Sequence, residues 1–232
     1  NEKIFVDTIM SALPLAEKGF IVTFGVSPNR ADSGYGYIRK GKKQDNAYHI
    51  KEFFEKPTAA KAEEYLQSGD FFWNSGFFLF KVDVYLRELH RFAPNILHAC
   101  KVSMNEALKD LAFTRVDENA FASCESGSID SLVMEATEKA VVVPFEGGWA
   151  DLGSWISVSD QTAKDANNNS LIGNVVTHET KNSYIRSDRS IIATLGIQDL
   201  IVVSDKNAVL IANKKSSGDL KFLNFEFGSE YH

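Results

Sequence analysis

The sequence has few cysteines and no long apolar run. Cys100 and Cys124 are the only two cysteines, and they do not form a CxxC pair. They are too few for a disulfide framework and fit a reducing compartment, so we interpret both as buried or incidental thiols. No run approaches the roughly eighteen apolar residues of a membrane span, and the start of the chain lacks the pattern of a signal peptide. We therefore expect a cytoplasmic protein with no membrane partner.

The sequence also has no excess of basic over acidic residues. The chain has 25 Lys and Arg against 31 Asp and Glu, which gives a net charge of -6. This excludes a global attraction to nucleic acid or anionic lipid, although a local basic pocket for a small anion stays compatible with it. With 44% hydrophobic and 24% charged residues, the chain has the composition of a globular protein of one or two domains.

The sequence lacks the motifs of several common classes of enzyme. It contains no Walker GxxxxGK[ST] motif and no GxSxG elbow, which excludes the P-loop and hydrolase templates. Its five histidines have no HxH or HExxH spacing, which argues against a zinc site. They are His49, His90, His98, His178 and His232.

The hydrophobic pattern predicts an α/β alternation up to about residue 144. Helical spacing alternates with short apolar runs typical of buried strands. We expect helices at 4–16, 59–67, 82–111 in two parts and 128–136, and strands at 20–24, 47–54 and 140–144. The aromatic run at 71–80 predicts a buried strand interrupted by a polar turn.

The character of the sequence changes after residue 164. Short β-like runs then follow one another, with turn residues every eight to twelve positions. We place a domain boundary near residue 165. No strict repeat period is visible, so the sequence does not support a solenoid.

Two motifs carry polar groups suited to a sugar phosphate. Glu55-Lys56-Pro57 stands where a strand hands over to a helix, which is where α/β sheets bind ligands. Its carboxylate can accept hydrogen bonds from hydroxyls and its ammonium can neutralise a phosphate. Asn74 lies inside the aromatic run, where a bound polyol would satisfy its amide. Taken alone, the first motif is more typical of a charged loop closed by proline, and the second is more typical of an aromatic core with an Asn-Ser-Gly turn.

Asp151 lies between glycines in Gly147–Trp155. A carboxylate in such a turn can hold Mg²⁺, which takes one or two protein carboxylates and completes its shell with phosphate and water oxygens. It can equally cap the helix that follows. The residues alone leave both interpretations open.

The order and spacing of five segments resemble the sugar-nucleotide pyrophosphorylase family, in particular its bacterial members that act on mannose 1-phosphate. The segments are GYGYI, FFEKP, FFWNSGFFLF, SIDSLVME and GWADLGSW. Residues 13–155 resemble the later part of the catalytic domain, and residues 174–220 resemble the β-rich segment after it. The resemblance implies an α/β fold in which residues 1–164 are the C-terminal portion of a Rossmann-like nucleotidyltransferase domain with a mixed sheet. Residues 165–232 would form a small β-rich extension.

The same resemblance implies a role for each matching residue. Gly36 would offer backbone contact to the sugar, Glu55 would bind its hydroxyls, and Asn74 would line the pocket. Lys56 would contact the sugar phosphate and Asp151 would bind the Mg²⁺ cofactor, which makes these two the catalytic candidates.

Asp130 and Glu135 also match the family pattern and are expected to support the site. The implied reaction makes GDP-mannose and pyrophosphate from GTP and mannose 1-phosphate, with this chain on the sugar-phosphate side. Glucose 1-phosphate with UTP or dTTP is one alternative, and a non-catalytic sugar-phosphate binding module is another. The β-branched runs after residue 165 suggest a homodimer contact.

Three family features are missing from the sequence: the opening GGxGTRLWP-type nucleotide loop, a second metal-binding aspartate later in the same first half, and the His-rich cupin domain that follows in many relatives. The chain also begins with Asn1 instead of Met. We therefore expect a fragment or a processed product that is inactive by itself and carries no isomerase activity.

Overall fold

A computed structural model describes residues 1–216 of the chain. The chain divides into two compact units, Asn1–Trp149 and a second one that begins at Ala150. This division falls earlier than the predicted boundary near residue 165, because the helix that contains Trp155 packs on the β-rich core around Tyr184. The part of the predicted extension at 217–232 lies outside the described residues. None of the helices in 1–216 is long and apolar enough to cross a membrane.

The first unit has the predicted α/β alternation. Its helices are α1 (Glu2–Glu17), α2 (Ala59–Ser68), α3 (Val82–Phe92), α4 (Pro94–Asn105) and α5 (Glu118–Ala122), with a π-helical turn at Asp130–Met134. Its strands are β1 (Ile21–Val26), β2 (Tyr37–Gln44), β3 (Ala47–Phe54), β4 (Phe71–Leu79), β5 (Leu108–Asp110), β6 (Phe113–Arg115) and β7 (Ala140–Pro144). The strongest local signals lie around α2, where the Thr58 side chain caps the first turn and Gly69 takes the left-handed conformation at the end.

Five strands close on one another in the order β1, β4, β2, β3 and β7. β1 runs parallel to β7 and antiparallel to β4, so the sheet is mixed as expected. Successive residues of β1 face opposite sides. Ile21 packs with α3 and the π-helical turn, and Val22 packs with α1.

The expected polar interruption of the aromatic run is a bulge, not a turn. β4 is continuous from Phe71 to Leu79, but its pairing with β1 jumps from Asn74 opposite Gly25 to Phe78 opposite Thr23. The extra residues of β4 are accommodated at Gly76, whose φ of 78° suits glycine. The strand can continue because the Asn74 side chain finds partners inside the protein.

The second unit is a stack of parallel coils, which is a solenoid that the sequence did not indicate by any strict repeat period. Its elements are α6 (Trp155–Gln161), β8 (Ser170–Ile172), β9 (Val175–His178), β10 (Tyr184–Ser187), β11 (Ile192–Leu195), β12 (Leu200–Asp205) and β13 (Ala208–Asn213). β10 pairs in parallel with both β8 and β12, and β9 pairs in parallel with β11. β13 then turns back antiparallel to β12.

One corner of the coils is held by a ladder of side-chain amides. Asn168, Asn182 and Asp199 stand at equivalent positions, each with a left-handed φ between 45° and 62°. Asn168 Nδ2 donates to Asn182 Oδ1 at 2.7 Å, and Asn182 Nδ2 donates to Asp199 Oδ1 at 2.6 Å. The repeat is therefore one of backbone conformation and hydrogen bonding, which the letter sequence conceals because both Asn and Asp fill the role.

Two glycines of the coils provide a matched test of how tightly neighbouring coils stack. Gly173 and Gly196 both have positive φ, of 80° and 64°. A Cβ at Gly173 would collide with the backbone carbonyl oxygen of Ser187, whereas a Cβ at Gly196 would meet open space. We expect Gly196→Ala to cost about 1 kcal/mol through backbone strain alone. Gly173→Ala should cost at least about 2 kcal/mol more, because the backbone of the next coil must move.

Amide hydrogen exchange in β10 and β12 measures the free energy of local opening and so checks both variants. Equal losses at the two positions would contradict tight stacking.

Candidate functional site

Gly36, Glu55 and Asn74 lie together at one end of the sheet. They directly precede β2, follow β3 and lie in β4, and the neighbouring residue Tyr37 pairs with both Phe54 and Trp73. Asn74 N donates to Gly36 O at 2.8 Å. A Cβ on Gly36 would stand 2.8 Å from Glu55 Oε2 and 3.3 Å from Asn74 Cβ. Only glycine at position 36 leaves the backbone open beside the carboxylate.

The Asn74 side chain links three segments of the first unit. It is 9% exposed. Its Oδ1 accepts from the fully buried Thr23 hydroxyl at 2.9 Å, and its Nδ2 donates to Asp130 Oδ1 at 2.9 Å. The amide is thus oriented from both ends, and it fixes a carboxylate that lies far away in the chain. Thr23 escaped the sequence analysis, although it is the one polar residue inside the apolar run 20–24.

The π-helical turn brings two further carboxyl groups to the site. Its Val133 and Met134 are buried in the core and anchor the turn. Burial raises the pKa of Asp130, against the opposing effects of the Asn74 hydrogen bond and the Lys56 charge. Burial also raises the pKa of Glu135, and the neighbouring carboxylates of Glu55 and Asp130 raise it further. The charges of Glu55 and Asp130 therefore both act on the Glu135 carboxyl group.

Lys56 supplies a cation beside these carboxylates. Its Nζ lies 3.5 Å from Glu55 Oε1, while its side chain stays 67% exposed. Its backbone takes a left-handed φ of 47°, so the chain turns sharply between the glutamate and Pro57. The site combines hydroxyl-accepting carboxylates, an oriented amide and one accessible ammonium. Such a set suits a polyhydroxylated ligand that carries an anionic group.

A cluster of aromatic rings lies against the other face of β4. Trp73 contacts Tyr35 and Trp149, with ring centroids 5.0 and 6.5 Å apart. The Arg30 guanidinium lies 5.2 Å from the Trp73 ring centroid and also forms an ion pair with Asp32. These contacts hold the loop that leads into Gly36. Nothing in the sequence pattern pointed to Arg30.

Asp151 belongs to the second unit and forms a local turn. Its Oδ1 accepts from the Gly153 N–H at 3.0 Å, and the carboxylate is exposed. Ser154, not Asp151, caps α6, because its Oγ accepts from Ser157 N. The helix-cap interpretation of Asp151 is therefore wrong.

The donor set at Asp151 fits Mg²⁺ only as a partial site. Within residues 1–216, no group of three or more His, Cys, Asp or Glu side chains could hold a metal ion. A single exposed carboxylate agrees with the habit of Mg²⁺, which takes few protein ligands and fills its shell with phosphate and water oxygens. The metal role of Asp151 stays a prediction.

Comparison with known proteins agrees with this architecture. The chain is 44% identical to mannose-1-phosphate guanylyltransferase of Escherichia coli over 226 residues, which cover 95% of the chain and 47% of that protein. It resembles the crystal structure of mannose-1-phosphate geranyltransferase from Thermus thermophilus with a TM-score of 0.82 and 28% identity, over 97% of this chain and 65% of that one. It also resembles mannose-6-phosphate isomerase from Helicobacter pylori, with a TM-score of 0.59, 35% identity and coverage of 64% and 58%.

Family models divide the chain into two matched regions. Residues 173–223 match the MannoseP isomerase/GMP-like beta-helix domain, in agreement with the stacked coils. Residues 3–168 match the nucleotidyl transferase model. The chain spans about half the length of the guanylyltransferases that it matches. The expected nucleotidyltransferase fold with a β-rich extension is confirmed, and the chain belongs to the nucleotidyl transferase family.

Proposed function

We propose that this chain is the sugar-phosphate side of a guanylyltransferase that makes GDP-mannose and pyrophosphate from GTP and mannose 1-phosphate. One observation carries the proposal: Gly36, Glu55 and Asn74 lie together, and the accessible Lys56 ammonium lies beside them. The similarity to mannose-1-phosphate guanylyltransferases supports it. In this proposal, residues 1–164 are the catalytic portion and residues 165–232 are the extension.

The chemistry asks for positioning and charge neutralisation rather than a covalent intermediate. The Glu55 carboxylate accepts hydrogen bonds from sugar hydroxyls, and the Lys56 ammonium binds the sugar phosphate. A phosphate oxygen of mannose 1-phosphate then attacks the α-phosphorus of GTP in line, and pyrophosphate leaves with the electrons of the broken bond. Asn74 keeps Asp130 in place beside the sugar and does not react itself.

Asp151 would supply one carboxylate oxygen to Mg²⁺. When bound, the ion supplies positive charge to the phosphate oxygens as the transition state forms. The remaining ligands would come from phosphate and water, because the second unit offers this carboxylate on a short exposed turn.

The composition and the surface of the chain support proposals for its location and its partners. We propose a cytoplasmic location with small-molecule substrates and with neither nucleic acid nor membrane as a partner. We also propose a homodimer contact on the coils. Its support is an open cavity of about 570 Å³ bordered by Ile191, Leu195 and Ile211, which are 67–75% exposed.

A second candidate is a non-catalytic module that binds mannose 1-phosphate without turnover. It is favoured by the position of Glu55 and Lys56, which lie side by side in the first unit, where binding of a sugar phosphate does not require turnover. Pyrophosphate release by the complete gene product separates the two. GTP with mannose 1-phosphate should give release, whereas UTP or dTTP with glucose 1-phosphate should not. Release with the latter pair would change the substrate, and binding of mannose 1-phosphate without any release would favour the module.

Removing the Lys56 charge tests the phosphate contact. In the complete gene product, Lys56→Gln should lower kcat/KM for mannose 1-phosphate about 10- to 100-fold, since a charge-assisted hydrogen bond contributes about 1.5–3 kcal/mol. Lys61→Gln, which removes an exposed lysine paired with Glu64, should leave the value within about twofold. Near-normal kinetics for Lys56→Gln would refute the contact.

Filling the space at Gly36 tests the sugar contact. Gly36→Ala places a methyl group 2.8 Å from Glu55 Oε2, so we expect titration calorimetry to show at least about tenfold weaker binding of mannose 1-phosphate. Gly34→Ala is the control in the same loop, because its Cβ approaches only the Asp32 side chain. Similar affinities for both variants would place the sugar elsewhere.

Replacing the Asp151 carboxylate by an amide tests the metal role. Asp151→Asn keeps an oxygen that can accept from Gly153 N, so the turn and the melting temperature should be retained. Turnover of the complete gene product should fall at least about 100-fold. Asp160→Asn, at an exposed carboxylate in α6, should change neither quantity. Near-normal turnover of Asp151→Asn would exclude the metal role.

A further inference from the structure

One buried carboxylate of the first unit takes no part in the proposed reaction. Glu88 lies in α3 and is 3% exposed. A buried charge is costly unless neighbouring groups pair with it and donate hydrogen bonds to it. Val84 and Leu89 of the same helix belong to the buried cluster that also contains Val133 and Met134 of the π-helical turn. Glu88 is therefore buried in the helix that packs against this turn.

Glu88 is paired with the segment that joins the π-helical turn to β7. The Thr137 hydroxyl donates to Glu88 Oε2 at 2.6 Å, and Lys139 Nζ lies 3.3 Å from Glu88 Oε1. The Thr137 hydroxyl oxygen also accepts from Lys139 N at 3.1 Å. The side chain of Lys139 is 47% exposed, whereas that of Glu88 is 4% exposed. The Thr137 hydroxyl is thus the short, direct link between the buried carboxylate and this segment.

Backbone hydrogen bonds connect this link to the carboxyl groups of the site. Thr137 N donates to Val133 O at 2.8 Å, and Glu135 N donates to Asp130 O at 3.0 Å. Val133 is fully buried. Residues 130–137 therefore form one hydrogen-bonded segment that is anchored in the core.

This segment is held near both of its ends. At its start, Asn74 Nδ2 donates to Asp130 Oδ1 at 2.9 Å. At its end, Glu88 accepts from the Thr137 hydroxyl. Glu135 lies between these two points and is exposed, so its carboxyl group can meet a ligand. Turns with π-helical hydrogen bonds are rare and are frequent at functional sites.

We propose that Glu88 is a positioning residue that holds the Glu135 carboxyl group in the sugar-phosphate site through Thr137. The inference rests on the proposed function, because it assigns Glu135 to the carboxylates that accept hydrogen bonds from the sugar hydroxyls. Glu88 itself is buried and touches no ligand. Its contribution is to order Glu135 before the sugar arrives, so that binding does not have to immobilise the segment.

The held position of Glu135 has an electrostatic consequence that can be measured without a ligand. Partial removal from water raises the pKa of Glu135, and the charges of Glu55 and Asp130 raise it further. Without the anchor at Thr137, the carboxyl group should move into water and away from these two charges. Its pKa should then fall toward the ordinary value for glutamate.

Three variants separate the Glu88 hydrogen bond from the Glu88 charge. Glu88→Met fills the space and removes both, whereas Thr137→Val removes the hydrogen bond and leaves the charge. Glu88→Gln removes the charge but keeps an oxygen that can accept from Thr137, and the half-exposed Lys139 side chain can turn into water. Ser103→Ala controls for lost stability, because it removes another buried hydroxyl, which donates to Asp117 O at 3.0 Å.

An NMR titration of the glutamate carboxyl carbons in the chain without ligand tests the positioning. In Glu88→Met and Thr137→Val, Glu135 should titrate at a pH at least about 0.5 lower than in the wild-type chain. In Glu88→Gln and Ser103→Ala, it should titrate as in the wild type. An unchanged titration in the first two variants would overturn the proposal, and so would an equal fall in Glu88→Gln.

Kinetics of the complete gene product test the consequence for the sugar. The KM for mannose 1-phosphate should rise at least about fivefold in Glu88→Met and Thr137→Val, while kcat stays within about twofold, because sugar binding is affected and the attack on phosphorus is not. Glu88→Gln and Ser103→Ala should keep the wild-type KM. A shifted titration with an unchanged KM would remove Glu135 from the sugar site and overturn the proposal. Absence of turnover in the wild type would instead refute the proposed function, and the titration alone would then decide whether Glu88 holds Glu135.

Discussion

The candidate site depends on one buried amide. Asn74 joins β1, β4 and the π-helical turn through hydrogen bonds to Thr23 and Asp130. In a dry environment these bonds are costly to break, because each group that loses its partner stays desolvated. Once the sheet has formed, the amide therefore holds the Asp130 carboxylate, 56 residues further along the chain, in a fixed position. The bulge at Gly76 is the backbone adjustment that lets β4 continue past this amide.

The site combines buried, fixed groups with one exposed lysine side chain. Gly36 and Asn74 are buried and joined by a backbone hydrogen bond, whereas the Lys56 side chain extends into solvent with a single ion pair at 3.5 Å. A ligand with many hydroxyls and one terminal anion matches this division. Its ring would rest against fixed groups, and its charge would be met by a side chain that can follow it.

Much of the fold was predictable from the sequence because its signals are local. The Thr58 cap and Gly69 mark the two ends of α2, and the apolar runs mark β1, β3 and β7 correctly. The grouping of Gly36, Glu55 and Asn74 was implied by the resemblance of their motifs to a known family and not by the residue pattern alone. Their individual roles stay predictions.

The features that the sequence concealed depend on distant partners. The coils repeat a left-handed corner through Asn168, Asn182 and Asp199, and a search for repeated letters does not detect a repeated backbone angle. The partnership of Asn74 with Thr23 and Asp130 joins residues that only the tertiary fold brings together. Such contacts leave no periodic pattern in the sequence from which they could be predicted.

The pairing of β1 along both of its edges determines the order in which the chain can fold. β1 pairs with β4 and with β7, which begins only at Ala140, so its long-range contacts require the closure of large loops. In the coils, each parallel strand instead pairs with the equivalent strand of the adjacent coil, a short distance along the chain. During synthesis, the first sheet waits with an open apolar strand until Pro144 has left the ribosome, while each later coil can stack as it emerges. The need for chaperone protection therefore falls on the first unit, before the coils exist.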